Sequence, residues 1–184
     1  VGLPPPSRLL VDVGLAEIDG ADARLEPISG WLRAYAAHQP GCRALMRELF
    51  GVGPLCAPTI LAELGDARRF ADGDAVVRYA GLDITVWSSD TKRSPGHLAR
   101  QGPEVLRWAL FEAAKSSARR TAPDHAYYAQ VKDRLSANRA TLSTARKLAR
   151  HARHVLAELG EQALAPVGGE LLAPLLPGPL PAAA

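Results

Sequence analysis

Residues 48–64, ELFGVGPLCAPTILAEL, constrain the fold of this chain more than any other stretch. Two short apolar segments meet at Gly51-Val52-Gly53-Pro54, a run that cannot continue a helix and favours a tight reversal. The spacing predicts a helix over roughly Arg43–Phe50, a turn at Gly51–Gly53, and a second helix opened by Pro54 at its first position. Leu49 and Val52 are expected to anchor the turn, with Leu55, Ile60 and Leu61 packed behind it. Glycines in such a turn free backbone N–H groups to point outward, where phosphate oxygens fit. A helix-hairpin-helix module that grips nucleic acid through Gly51, Val52 and Gly53 is one reading; an ordinary tight turn between helices is the other.

The rest of the chain favours helices too. Its 184 residues can bury one core with flanking arms, and its 5% aromatic content leaves a hydrophobic fraction dominated by Ala, Leu and Val. The expected fold class is mainly α, a helical domain between an N-terminal arm and a flexible C-terminal tail. In the arm, residues 1–40, Val11, Ile18, Leu25 and Leu32 recur every seven residues, with Ala21, Ile28 and Tyr35 between them. That is a short heptad pattern, expected to break at Pro27 and Gly30. It suits a coiled coil that dimerises or spaces two domains, and equally an amphipathic helix packed on its own domain. The middle, residues 41–160, should hold a short helix at Ala75–Leu82 and three longer ones at about Pro103–Arg120, Pro123–Ser136 and Arg139–Leu159. Residues 161–184 are rich in Pro, Gly, Ala and Leu and form the expected tail.

Between Asp83 and Gln101 apolar periodicity fails, which predicts an exposed loop of functional length. It carries Ser88 and Ser89 beside Asp90, Lys92, Arg93, His97 and Arg100. A serine hydroxyl can attack a phosphodiester if its proton is removed and the phosphate charge is offset. Lys and Arg suit the second task; His97 or a metal-bound hydroxide suits the first. Composition alone also allows a solvated turn.

Charge is unevenly distributed. The net charge is +3, but Thr91–Val155 holds fourteen Lys and Arg against four acids, while the first thirty residues lean acidic. An anionic partner for the second half follows. Cys42 and Cys56, the only cysteines, lack the spacing of a zinc site or disulfide framework. No apolar run is long enough to cross a bilayer and no signal peptide is expected, so the expected location is the cytoplasm. The start, VGLPPPSRLL, reads as the interior of a longer protein.

The succession GVGPLCAPTILAELGDARRF, YAGLDITVWSS, Lys92-Arg93, Gly96, Gly102 and LRWAL resembles the C-terminal transposase domain of the insertion-sequence one-ten/one-sixteen family, which includes Piv/MooV-type invertases and bridge-RNA-guided recombinases. The resemblance spans about Arg43–Leu159. It implies a DEDD-type enzyme whose RuvC-like domain, expected to be missing from this chain, holds Mg²⁺ through four acids. No cofactor is expected in the chain itself. The resemblance further implies that Ser89 becomes covalently joined to DNA, with Ser88 the alternate. Lys92, Arg93, Arg100 and Arg107 are the expected basic contacts, and Gly51 and Gly53 match the hairpin glycines. DNA, a guide (bridge) RNA and further copies of the chain are the implied partners. Three positions depart from the pattern: Asp90 replaces the glycine after the serine, Gly102-Pro103 replaces Gly-Asn, and Phe50 stands where proline often precedes the hairpin. The alternative is a non-catalytic helix-hairpin-helix module that binds nucleic acid and dimerises through its arm; a plain helical structural domain is the third reading.

Overall fold

The computed structural model describes residues 2, 4–85, 88–89, 92–93 and 96–168; for Thr85, Ser88, Ser89, Lys92, Arg93 and His97 the description is of the backbone. Among these residues are seven α-helices: α1 (Pro5–His38), α2 (Pro40–Glu48), α3 (Cys56–Leu64), α4 (Gly73–Tyr79), α5 (Glu104–Lys115), α6 (His125–Arg134) and α7 (Ala137–Leu159). Four strands of two residues each lie between α4 and α5: β1 (Ile84–Thr85), β2 (Ser88–Ser89), β3 (Lys92–Arg93) and β4 (His97–Leu98).

Helix α7 is the central post. It packs against α2, α4, α5 and α6, and a stripe of Ala140, Ala145, Ala149 and Ala152, all fully buried, lets its neighbours approach closely. Leu45, Leu49, Ile60, Leu64, Leu106, Leu110 and Leu156 fill the space around that stripe. Two buried threonines do not spoil it: Thr144 Oγ1 donates to Ala140 O at 3.1 Å and Thr141 Oγ1 to Ala137 O at 3.0 Å, so no hydroxyl is left unpaired.

The arm differs from expectation. Pro27 and Gly30 do not interrupt it; α1 runs unbroken for 34 residues with Pro27 inside. A proline deletes one backbone hydrogen bond and strains the preceding turn, and a glycine lowers helix propensity by about 1 kcal/mol, neither of which has to end a helix this long. Only the C-terminal end of α1 joins the core, through buried Ala36. Upstream, Leu10, Ile18, Leu25 and Ile28 remain 75%, 57%, 54% and 41% exposed.

Buried Gln39 fastens the arm to the other end of the chain. Its Oε1 accepts from Gly41 N at 2.6 Å, capping α2, while Nε2 donates to Ala165 O at 3.2 Å. The chain remains packed past Gly160: residues 160–164 form a 3₁₀ turn in which Ala163 is buried. Residues 169–184, the rest of the expected tail, lie outside the described residues.

The described residues of the long loop include two short antiparallel pairings. Ile84 pairs with Leu98 and Thr85 with His97 in one antiparallel step, and Ser88 pairs with Arg93 and Ser89 with Lys92 in a second. Ala99 N donates to Asp83 O at 3.0 Å and Arg100 N to Gly81 O at 3.1 Å, closing the base of this ribbon. Period-2 patterning is invisible in strands two residues long, which is why the sequence reads as irregular.

Candidate nucleic-acid interface

The glycine turn is built asymmetrically. Leu49 caps α2, with its N–H on Leu45 O at 2.9 Å, and Val52 N donates back to Leu49 O at 3.1 Å. Leu49 and Val52 are buried, as the anchoring role requires. Gly51 has φ +90°, and a Cβ there would collide with Ser116 Oγ and Ala113 O at the C-terminal end of α5. Gly53 has nothing within 4 Å of an added Cβ. One glycine is therefore demanded by packing, and the other faces open space.

Two details of the turn depart from expectation. α3 starts at Cys56 rather than Pro54, so Pro54 and Leu55 extend the turn. Leu55 does not pack behind it: this side chain is 51% exposed, and Phe50 is 39% exposed beside it, while Ile60 and Leu61 are buried. The N–H groups of Gly51 and Leu55 donate to no backbone acceptor among the described residues. That of Gly53 lies on the Cys56 thiol. Burial nevertheless holds Cys56 above the usual thiol range, and it pushes Cys42 up to about 12, so both thiols stay protonated and inert at neutral pH.

The serine-bearing ribbon is held at its root by unusual backbone. Gly81 and Gly102 have φ +66° and +97°, and Arg100 takes φ +53°. A Cβ on Gly102 would strike Tyr79 O, and one on Gly81 would strike Gln101 O. The end of α4 and the approach to α5 are thus pressed together, and the ribbon projects from that joint. Its register brings Ser89 opposite Lys92 and Ser88 opposite Arg93. Asp90, the residue at which the family pattern is broken, lies outside the described residues.

Of the remaining expected contacts, Arg100 is exposed at the root of the ribbon. Arg107 is half-buried and donates through Nη1 to Ala80 O at 3.2 Å, which closes the C-terminal end of α4. The glycine turn and the ribbon root are not adjacent. They meet opposite ends of the twelve-residue α5, Ala113 at one and Pro103 at the other.

The basic second half is divided between structure and surface. Arg146 Nε donates to Leu82 O at 2.6 Å, Arg153 Nη2 to Phe70 O at 2.9 Å and to Ala71 O at 3.2 Å, and Arg150 pairs with Asp74 at 2.6 Å. Spaced four and three residues apart on α7, these three arginines tie the central helix to both flanks of α4. Burial lowers the pKa of Arg146, its largest influence. Lys147 pairs with Asp124. Arg119, Arg120, Lys132, Arg134 and Arg139 are exposed and form no ion pair among the described residues. The arginine run on α7 was the signal for internal staples; sequence reasoning assigned it wholly to an outside partner.

No group of three or more His, Cys, Asp or Glu among the described residues could hold a metal ion. No helix of the described residues is long and apolar enough to cross a membrane. The molecule is a helical domain with a serine-bearing, basic ribbon rooted at one end of α5 and a glycine turn packed on the other. Residues 43–129 match the transposase IS116/IS110/IS902 family. A probable family 20 transposase of Pseudomonas aeruginosa is 29% identical over 119 residues, which is 64% of this chain and 34% of that protein. The chain therefore spans about a third of the length of the curated relative it matches.

Proposed function

We propose that this domain binds DNA and supplies the serine for strand exchange, acting with a RuvC-like metal-binding domain. The observation that carries the reading is the ribbon's register inside the family match: Ser89 across from Lys92, Ser88 across from Arg93. Directly opposed residues of an antiparallel pair share a face, so each serine position has a cation position beside it. Ser89 is the nucleophile and Ser88 its alternate. The Oγ–P bond forms as the P–O3′ bond breaks, leaving a 5′-phosphoserine and a free 3′-hydroxyl. Attack by a 3′-hydroxyl of another strand reverses the step and releases the serine, with no external energy source. Lys92, Arg93 and Arg100 offset phosphate charge. The partner domain's Mg²⁺ would add to that and favour departure of the leaving oxygen.

The remaining parts have roles consistent with this chemistry. The turn of Gly51, Val52 and Gly53, in which the Gly51 N–H has no backbone acceptor among the described residues, is the site for a second stretch of phosphate backbone. The apolar face of α1 suits pairing with another copy, and the unpaired cations near α6 could also take a guide RNA. In this reading the protein works in the cytoplasm. A non-catalytic binding and dimerising module is the rival, favoured by the same turn and the same exposed arm.

The deciding experiment joins the chain to a RuvC-like partner domain and supplies Mg²⁺, guide RNA and nicked DNA. A denaturation-resistant protein–DNA adduct is expected, lost in Ser89→Ala without loss of DNA affinity. Tight, salt-sensitive binding with no adduct in either protein would leave the binding module standing instead.

A further inference from the structure

A cleft of about 370 Å³ opens beneath the ribbon, between the β1/β4 stem and the N-terminal half of α7. Ile84 and Leu98 form its stem side, Leu135 and Leu142 its helix side, and Arg139 and Arg146 its basic edge. Its size is within the range of sites that hold small ligands. Folding leaves Ile84 and Leu135 54% and 48% exposed on its two walls. Aliphatic side chains left uncovered on facing walls make a slot, unlike single apolar residues scattered on a surface.

The two guanidinium groups are not equivalent. Arg146 is fixed by its bond to Leu82 O, and Asp83 lies close enough to influence its charge. Arg139, two helical turns earlier on the same face, is exposed and has no side-chain ion pair or hydrogen bond among the described residues. The slot thus offers aliphatic walls to a flat ring and one uncommitted cation at its edge. Those are the requirements of a single unstacked nucleotide: a base with two apolar faces, attached to a singly charged phosphodiester. The slot's place at the stem of the ribbon connects it to the reacting strand, because a base drawn out of the stack bares the phosphate next to it.

We propose that the cleft holds the nucleotide adjacent to the phosphate that Ser89 attacks, with its base among Ile84, Leu98, Leu135 and Leu142 and its phosphodiester on Arg139. The proposal rests on the DNA strand-exchange reading given above and adds a specific strand distortion to it. Besides the two arginines, Ser143 is the one polar side chain of the lining, so the slot accepts a base chiefly by shape and leaves most of the sequence choice to other contacts.

The test uses the whole 184-residue chain and three short DNA duplexes: fully paired, with one bulged 2-aminopurine, and with one bulged abasic residue. Binding is followed by anisotropy and by 2-aminopurine emission. The bulged base should bind about tenfold tighter than the abasic bulge, which corresponds to burying one face of a base. Leu135→Ser, an exposed position that the fold tolerates, should erase that preference while leaving affinity for the paired duplex unchanged. Arg139→Gln should weaken binding of all three and lower the salt slope by about one. Equal affinity for the two bulges, or a preference unmoved by Leu135→Ser, overturns the slot and leaves DNA binding intact. A preference for the same bulge in RNA over DNA overturns its assignment to the reacting DNA strand. Absence of salt-dependent binding to every duplex, unaffected by Lys92→Ala and Arg93→Ala, brings down the strand-exchange reading itself and the slot with it.

Discussion

Replacing Gly51 and Gly53 by alanine, one at a time, separates two jobs that a glycine turn can do. At Gly51 the penalty has two parts. A non-glycine residue in left-handed backbone costs about 1–2 kcal/mol, and φ there is +90°. The new Cβ would also enter space held by Ser116 Oγ and Ala113 O, and overpacking of this kind costs about 1–3 kcal/mol. Gly51→Ala should therefore lower stability by about 2–5 kcal/mol, a large share of the roughly 5–15 kcal/mol that holds a domain together. At Gly53 an added Cβ meets nothing within 4 Å, so stability should change by less than about 0.5 kcal/mol. Urea unfolding followed by circular dichroism measures both, with DNA affinity measured on the same samples. Removing the obstructing side chain should restore part of the loss: Ser116→Gly in the Gly51→Ala background should recover about 1 kcal/mol or more, read as a coupling energy in a double-mutant cycle. Gly53→Ala should instead weaken DNA binding, because its Cβ stands on the open side. Equal unfolding midpoints for the two alanine variants would refute the division of labour between the glycines, and absence of coupling to Ser116 would refute its cause.

Other expectations concern different parts of the molecule. Arg153→Ala removes the donors for Phe70 O and Ala71 O and should cost about 1–3 kcal/mol in unfolding measurements without altering DNA affinity. Lys92→Ala and Arg93→Ala should do the opposite, leaving stability unchanged and each lowering the salt slope of DNA binding by about one. Because burial raises the Cys42 thiol from 9.0 to about 12, the unfolded chain loses that proton first; stability is fully present below pH 9 and declines as pH rises from 9 towards 12. Cys42→Ala should flatten that decline in unfolding curves taken across this range. Ile18→Asp with Leu25→Asp, both at exposed positions of α1, should reduce self-association in sedimentation without lowering the melting temperature.

Helices α5 and α7 were legible because each carries a full apolar stripe; Leu106, Leu110, Ala145, Leu148, Ala152 and Leu156 all lie in the core as the 3.6 period requires. Leu49 and Val52 were legible as anchors of the glycine turn, and both are buried. Leu55 was not, since a two-residue shift in the start of α3 turns that side chain outward and nothing local marks the shift. Pro27 was read as a stop because local rules weigh one hydrogen bond without the length of helix on either side. The ribbon was missed because its order lies in backbone pairing across a loop, stabilised by Gly81 and Gly102, both distant from the serines in sequence. The basic half was only partly legible: a count of charges cannot tell that Arg107, Arg146 and Arg153 are spent on carbonyl groups of the chain itself.

Helix α5 also acts as a spacer. At about 1.5 Å per residue, its twelve residues separate the glycine turn from the ribbon root by about 18 Å, and neither joint can slide because each is locked by a glycine in contact with backbone. Duplex DNA advances about 3.4 Å per nucleotide along its axis. In the DNA-binding reading proposed above, a strand touching both ends would be held at two points about five nucleotides apart.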